Sequence, residues 1–233
     1  MFFNPAYLVM FLVPAALVAW LAHWWSKKVY REAAEIVPQS GASGHETAAA
    51  VLTAAGVNAV FVEDVPGQLM DHYSPAEQGI LLRPEVHDGR NLMAIGIAAH
   101  ETGHAIQDAD KHPMLAARTA IVLAATCGSL TGMILFVGGF LVVESILIYA
   151  GVLVFTATVI AQLVNLPCEL DASRRASQHL LSTGVITPEE APAVRRVMQA
   201  AACTYVAATL TCIPTTYRYL VKPRRQARDK KLV

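Results

Sequence analysis

Long runs of uncharged residues alternate with polar segments along this chain. Residues 1–26 contain no Asp, Glu, Lys or Arg, and the apolar run Tyr7–Trp25 is as long as a helix that crosses a bilayer core of about 30 Å. Two further uncharged stretches, Thr119–Val143 and Ser145–Cys168, are separated by Glu144 alone. The pattern therefore predicts an N-terminal transmembrane anchor and a transmembrane hairpin that turns near Glu144.

A fourth uncharged stretch, Val197–Tyr217, is rich in Ala and Thr and is interrupted by Pro214. The basic residues Lys27 and Lys28 follow the first apolar run, so the positive-inside rule places the N-terminus outside and the following segment in the cytoplasm. Three spans keep every Lys and Arg on the cytoplasmic side. We therefore favour three spans, with the apolar helix 198–217 buried against the domain, interfacial or re-entrant, and keep a fourth span as the alternative.

Two helices are predicted in the polar part of the chain. The first covers Ser40–Gly56, with Ser43 as its N-cap and Glu46 three residues later as the partner in a capping box. The second covers Asn91 to about Asp108, where apolar residues recur with helical periodicity.

Short β-strands are predicted between these two helices. Asn58–Val65 alternates apolar and polar residues, as a half-buried strand does. His72–Ser74 and Gly79–Leu82 flank a turn and are expected to form a hairpin. The sequence thus predicts a short antiparallel sheet with one face on a helical core.

Composition agrees with a membrane protein that has a modest polar domain. Apolar residues make up 55% of the 233 residues and charged residues 15%, where a soluble domain has about 25% charged. Lys plus Arg and Asp plus Glu number 18 each, so no net charge points to nucleic acid. The four cysteines lack metal-ligand spacing and are expected to be buried hydrophobic residues.

The chemistry of the chain is concentrated in an H-E-x-x-H motif at residues 100–104. Positions i and i+4 share one face of a helix, so His100 and His104 can present imidazole nitrogens to a single ion. Glu101 is adjacent, and its carboxylate can accept a proton from a water molecule whose pKa zinc lowers to about 7. The motif predicts a metal site used for hydrolysis.

A catalytic zinc needs a third protein ligand and an open position. Glu169 follows the predicted hairpin, where Pro167 suits the first turn of a new helix. Asp171 is two residues further on, about 200° around a helix, so it cannot face the same ion. We therefore expect Glu169 as the third ligand and Asp171 as a support for a ligand histidine or a helix cap.

Four stretches of the chain resemble the YugP-type family of membrane zinc metallopeptidases and, more distantly, HtpX-like membrane proteases of the gluzincin kind. These stretches are Ser43–Gly44, Val65–Tyr73, Ala99–Gln107 and Asn165–Ser173. The resemblance implies a zinc-dependent endopeptidase built on a helical zincin core. It also implies His100, His104 and Glu169 as the ligands of one Zn²⁺ per chain, and Glu101 as the base.

The chain departs from the gluzincin pattern at Ser173. Gluzincins commonly carry an acidic residue four positions after the glutamate ligand, and here the acid is at Asp171 instead. Asp108, four residues after His104, is a second candidate for supporting a ligand. His72 and Tyr73 are the candidates for stabilising the tetrahedral intermediate, together with Arg174 or Arg175.

Taken together, the sequence predicts a mainly α membrane protein whose transmembrane helices accompany a small α+β zincin-like metallopeptidase domain. The expected parts are an anchor (1–26), a cytoplasmic domain (27–118), a transmembrane hairpin (119–168), a helical segment with the third ligand (169–197), an apolar helix (198–217) and a basic tail (218–233).

The expected function is cleavage of membrane or juxtamembrane proteins at the cytoplasmic face of the cell membrane. The expected partners are a protein or peptide substrate and the lipid bilayer. A membrane-protein partner or a homo-oligomer is a further expectation, and no nucleic acid is expected. The alternative is a non-catalytic scaffold or chaperone whose zinc is enclosed by a fourth ligand (Asp171, Cys168 or His72). A zinc transporter is disfavoured because no span carries an internal pair of Asp, Glu or His residues.

Overall fold

The structure, a computed structural model, describes residues 5–65, 71–142 and 144–200. Within these ranges the elements are, in chain order, α1 (Pro5–Ala34), α2 (Gly44–Ala54), β1 (Phe61–Asp64), β2 (His72–Ser74), β3 (Gly79–Leu82), α3 (Pro84–His87), α4 (Leu92–Ala109), α5 (Pro113–Leu141) and α6 (Ser145–Ser182). Residues 191–200 are also helical. The chain forms two compact units. The first unit includes the described residues up to His23 together with the described residues of Arg118–Leu166. The second unit includes the described residues of Trp24–Ala117 together with those from Pro167 onward.

The predicted membrane spans are not supported. Within the described ranges, none of the helices combines the length and the apolar character that crossing a membrane requires. The transmembrane part of the predicted fold class and the predicted multi-pass membrane localisation are therefore wrong. Both rested on the absence of charged residues, which is a weaker criterion than a continuous apolar helix of about 20 residues. Most of the 198–217 segment and the whole basic tail lie outside the described residues.

The first unit contains a helical hairpin with close backbone contacts. A Cβ atom on Gly151 of α6 would lie 2.5 Å from the backbone nitrogen of Phe136 on α5, and one on Gly139 would lie 2.7 Å from the nitrogen of Ile148. Glycine at these positions therefore allows the two helices to come into close contact. Gly138 differs, because a Cβ atom there would meet nothing within 4 Å.

In the second unit, α4 is the central helix. Apart from Met93 and Ile97, every residue from Leu92 to Gln107 is buried. One hydrophobic cluster joins α4 to the end of α1, to α6 and to residues 185–200. A second cluster joins it to α2, α3 and the sheet. Because α4 is enclosed on both sides, its polar side chains are held in fixed positions.

The two predicted helices of the polar segment are confirmed. Ser43 caps α2, and its side chain and that of Glu46 form the predicted capping box. Asn91 caps α4 by accepting a hydrogen bond from the backbone N–H of Ala94. These caps satisfy amide groups that a helix leaves unpaired at its N-terminus. The local sequence was therefore sufficient to place the N-terminus of α2 and that of α4.

The sheet is mixed, whereas an antiparallel sheet was predicted. β2 and β3 form the predicted antiparallel hairpin, in which Tyr73 lies opposite Ile80. β1 instead pairs in parallel with β3, with Phe61 opposite Gly79, so the strand order is β1-β3-β2. The prediction failed here because β2 lies at the edge far from β1, and β3 returns between them in the direction of β1.

α6 runs continuously past Pro167, where the sequence predicted the start of a new helix. A proline inside a helix removes one backbone hydrogen bond and crowds the preceding turn. The residues just after it hold the helix in place, because Cys168, Glu169 and Ala172 are all buried within the second unit. The predicted third ligand therefore lies in the interior of a long helix.

Candidate metal centre

Three buried side chains from α4 and α6 converge on one point. The Nε2 atom of His100 lies 3.2 Å from Oε2 of Glu169, and the Nε2 atom of His104 lies 3.4 Å from the same oxygen. One ligand atom of each residue lies within 4.8 Å of the others. The structure thus brings together the three residues predicted as metal ligands.

Gly103 allows α4 and α6 to approach closely enough for this convergence. A Cβ atom on Gly103 would lie 2.2 Å from the carbonyl oxygen of Ala172 on α6. No side chain can occupy that space without moving the backbone of α6. The glycine between the two histidines of the motif is therefore what brings Glu169 within reach of them.

Each histidine has a partner for its other ring nitrogen. The Nδ1 atom of His100 lies 3.0 Å from Oγ of Ser173, and Nδ1 of His104 lies 3.0 Å from Oε1 of Gln107. Ser173 in turn donates to the carbonyl oxygen of Glu169, at 3.1 Å. Such partners fix the orientation of each imidazole ring and leave Nε2 for a metal.

The donor set fits a zinc ion. Tetrahedral zinc with bonds of about 2.0–2.1 Å to N and O atoms separates its ligand atoms by about 3.3 Å, which matches the two distances to Glu169. Among the described residues, Nε2 of His104 has no hydrogen-bond partner although it is buried. A lone pair on that nitrogen and a carboxylate oxygen repel each other unless a cation lies between them.

Within the described ranges, the group of potential ligands contains three residues and no fourth. Two of the residues proposed above as an enclosing fourth ligand, Asp171 and Cys168, are engaged in other contacts. The Asp171 carboxylate accepts hydrogen bonds from Gln107 and from two arginines, and the Cys168 thiol faces Oε1 of Gln107 at 3.4 Å. Three protein ligands with one open position are typical of a catalytic zinc site, whereas structural sites have four.

Glu101 is buried next to His100, and its carboxylate is held by the sheet. Its Oε2 atom accepts a hydrogen bond from the backbone N–H of Tyr73 on the edge strand β2, at 3.0 Å. Glu101 makes no other hydrogen bond within the part of the chain that the structure describes. One carboxylate oxygen is thus anchored, and the other is left for a water molecule.

The side chain of Tyr73 is engaged with α4. Its hydroxyl donates to Oδ2 of Asp108, at 2.7 Å, so Asp108 contacts Tyr73. Burial and this hydrogen bond raise the pKa of Tyr73 well above its usual value. Tyr73 therefore contacts Glu101 through its backbone. His72, the other candidate for stabilising the intermediate, lies half-buried opposite Leu81 in β3.

Asp171 is the centre of a charged network behind the metal ligands. Its carboxylate accepts hydrogen bonds from Nε of Arg175 and from Nη2 of Arg174, both at 2.6 Å, and from Nε2 of Gln107 at 3.0 Å. Burial alone would raise the pKa of Asp171, but these three hydrogen bonds outweigh it and lower the pKa below its usual range. Arg175 also pairs with Asp110, so both arginines proposed for the intermediate are engaged in ion pairs.

Gln107 and Ser173 were not among the predicted site residues. A signal was present, because Gln107 follows His104 by three positions and Ser173 follows Glu169 by four, and residues at these spacings share a helix face. The partners predicted for the ligand histidines, Asp171 and Asp108, were both acidic. A neutral amide or hydroxyl oxygen can equally accept the Nδ1 proton of a histidine.

Comparisons with known proteins also indicate a zinc peptidase. Residues 8–223 match the model of a family described as "Putative neutral zinc metallopeptidase". The chain is 37% identical over 215 residues to a protein of Bacillus subtilis (strain 168) named "Putative membrane protease YugP", a match that covers 92% of this chain and 96% of that protein. None of the solved structures matches the chain significantly.

Proposed function

This chain belongs to the neutral zinc metallopeptidase family, and we propose that it hydrolyses peptide bonds at the centre formed by His100, His104 and Glu169. Zinc is the cofactor of the family, and the donor set described above fits that ion. The substrates of a peptidase are proteins or peptides. The expected homo-oligomer stays a prediction from the sequence.

Glu101 is the proposed general base. When bound, zinc supplies a Lewis acid that polarises a carbonyl group and lowers the pKa of a coordinated water to about 7. Glu101 accepts the proton of the attacking water and delivers it to the nitrogen of the leaving amine. The backbone N–H of Tyr73 orients the carboxylate for this transfer without requiring a second charged group.

The observation that carries the proposal is the arrangement of the buried polar groups. Three side chains that can bind a metal converge, a second carboxylate, that of Glu101, lies beside the two histidines on α4, and the described residues offer no further ligand. Burying the carboxylates of Glu101 and Glu169 is costly without a cation, which favours a metal site. A group of three ligands with a further carboxylate on the same helix as the histidines favours a catalytic site over a structural one.

The substitution Glu101→Gln tests this assignment. It keeps the shape of the side chain and its acceptor oxygen but removes the base. We expect the zinc content of the purified chain to stay near one equivalent, while cleavage of casein falls by at least about 100-fold. Zinc content is measured by mass spectrometry, and cleavage by the release of soluble peptides.

Glu189→Gln is the matched control, because Glu189 is exposed and outside the centre. It should leave both zinc content and cleavage unchanged. Wild-type activity in Glu101→Gln would show that another group is the base. A zinc-loaded wild-type chain that cleaves no protein or peptide substrate would overturn the proposed function.

A further inference from the structure

Gln107 is a buried amide that joins His104 to α6. It lies on α4 one turn after His104, and its side chain is fully buried. Its Oε1 atom faces Nδ1 of His104 at 3.0 Å. Its Nε2 atom donates to the carbonyl oxygen of Cys168 at 2.9 Å and to Oδ2 of Asp171 at 3.0 Å. All of its hydrogen-bonding capacity is thus directed at groups around the metal ligands.

These contacts fix which way the amide points. A carbonyl oxygen and a carboxylate oxygen can only accept hydrogen bonds, so the group that faces Cys168 and Asp171 must be the NH₂. A flipped amide would place its oxygen against both acceptors and leave its NH₂ toward His104. The network therefore assigns Oε1 to the His104 side.

The orientation of the amide determines the protonation of His104. Because Oε1 of Gln107 can only accept, the proton of a neutral His104 ring must be on Nδ1. The lone pair is then on Nε2, which faces Glu169 at 3.4 Å. A histidine with the opposite tautomer would present an N–H to the metal position and could not bind.

Asp171 keeps Gln107 in this orientation. Its carboxylate is fixed by hydrogen bonds from Arg174 and Arg175, and its side chain is only 15% exposed. The negative charge next to the NH₂ group of Gln107 disfavours the flipped amide. Asp171 therefore acts on His104 through Gln107.

We propose that Gln107 is a positioning residue that selects the metal-binding tautomer of His104, with Asp171 as its anchor, and that this pair determines the zinc affinity of the centre. The proposal rests on the proposed zinc centre and adds to it a role for two residues that do not touch the metal. Removing a partner of a ligand histidine typically lowers metal affinity by about 10- to 100-fold.

The test compares zinc affinity and His104 tautomer in the full-length chain. Gln107→Met keeps the size of the side chain but has no oxygen acceptor for Nδ1. We expect zinc affinity, measured by competition with a chromophoric chelator, to fall by about 10- to 100-fold. In the zinc-free chain, ¹H–¹⁵N correlation spectra of the histidine rings should show Nδ1–H for wild-type His104 and a mixture of tautomers for the variant.

Gln178→Met is the matched control, because Gln178 is an exposed glutamine on α6. It should change neither measurement. A purely structural role for Gln107 would alter stability but not the tautomer of a folded chain. Wild-type zinc affinity together with an unchanged tautomer in Gln107→Met would overturn the proposal.

A second variant keeps the proposal testable if Gln107→Met does not fold. Asp171→Leu removes both the charge and the acceptor that face the NH₂ group of Gln107, so zinc affinity should fall and the histidine spectra of the zinc-free chain should show a mixture of His104 tautomers. Wild-type zinc affinity together with an unchanged tautomer in Asp171→Leu contradicts the proposal. If the wild-type chain binds no zinc, it is the proposed function that fails.

Discussion

At the scale of single residues, the metal centre depends on how each histidine uses its two ring nitrogens. In both ligands Nδ1 is taken by a neutral oxygen, from Ser173 in one case and Gln107 in the other. The negative charge of Asp171 is placed one residue further out, where two arginines balance it. Because Asp171 contacts Gln107 and not the imidazole of His104, Glu169 is the anionic ligand of the proposed centre.

Tyr30 illustrates how the charged groups near the site affect a residue of another helix. Burial raises the pKa of this α1 residue to about 12, and the charge of Asp71 adds to the effect while Arg83 opposes it. The folded state thus binds the phenolic proton more tightly than the unfolded state, whose tyrosines have a pKa of about 10. The contribution of this pKa difference to the free energy of unfolding is present below pH 10 and is lost as the pH rises toward 12.

We therefore predict that Tyr30→Phe changes the alkaline limb of the stability profile. The free-energy difference between wild type and variant should shift by about 1 to 2 kcal/mol in favour of the variant between pH 9 and pH 11.5. Urea unfolding at several pH values measures it. Tyr73 titrates in both proteins, so its contribution cancels, and a difference independent of pH would contradict the prediction.

At the scale of elements, the site is a contact between two helices. α4 supplies both histidines and Glu101, and α6 supplies Glu169 and Ser173. The two helices approach backbone to backbone where Gly103 meets Ala172. Since these side chains are on rigid helices, a small change in the separation of α4 and α6 moves Glu169 relative to both histidines.

Gly103→Ala tests this helix contact. The added methyl group would overlap the carbonyl oxygen of Ala172, so α4 and α6 must separate. We expect the free energy of unfolding to fall by about 1 to 3 kcal/mol, as for other overpacked sites, and zinc affinity to fall with it. Urea unfolding and chelator competition measure the two effects.

Gly138→Ala is the control for this substitution, since it makes the same change in a helix where nothing lies within 4 Å. Alanine favours the helix over glycine, so this variant should be neutral or more stable by up to about 1 kcal/mol. If both variants behave alike, the contact of Gly103 with α6 is not what limits the approach of the helices.

At the scale of the whole molecule, the proposed zinc site combines segments that are far apart in the chain. His100 and Glu169 are separated by 69 positions, and a bound metal would link them directly in the folded state alone. A ligand that binds the folded chain stabilises it by about 2.7 kcal/mol at a concentration 100 times its dissociation constant. Zinc should therefore stabilise the second unit as well as supply its chemistry.

Removal of zinc by a chelator is predicted to lower the melting temperature by about 5 to 10 °C, and added zinc should restore it. Differential scanning fluorimetry measures the shift. His104→Ala should abolish the response to zinc, while Glu101→Gln should keep it, because Glu101 is not a ligand in the proposed site. An identical melting temperature with and without zinc would be inconsistent with a metal that links α4 to α6.

The sequence by itself determined the features that depend on near neighbours. Helix caps at Ser43 and Asn91, the hairpin of β2 and β3, and the pairing of His100 with His104 on one helix face all follow from residues within a few positions of each other. Spacing on a helix is fixed by backbone geometry, so these predictions needed no knowledge of the rest of the chain.

Only the tertiary structure decided which groups surround the ligands. The partners of Gln107 and Ser173, the contact of Glu101 with the amide of Tyr73, and the parallel pairing of β1 with β3 join segments from different elements. The continuity of α6 past Pro167 likewise depends on the burial of the residues that follow it. Such contacts are set by packing between distant segments, and the local pattern of the sequence does not contain them.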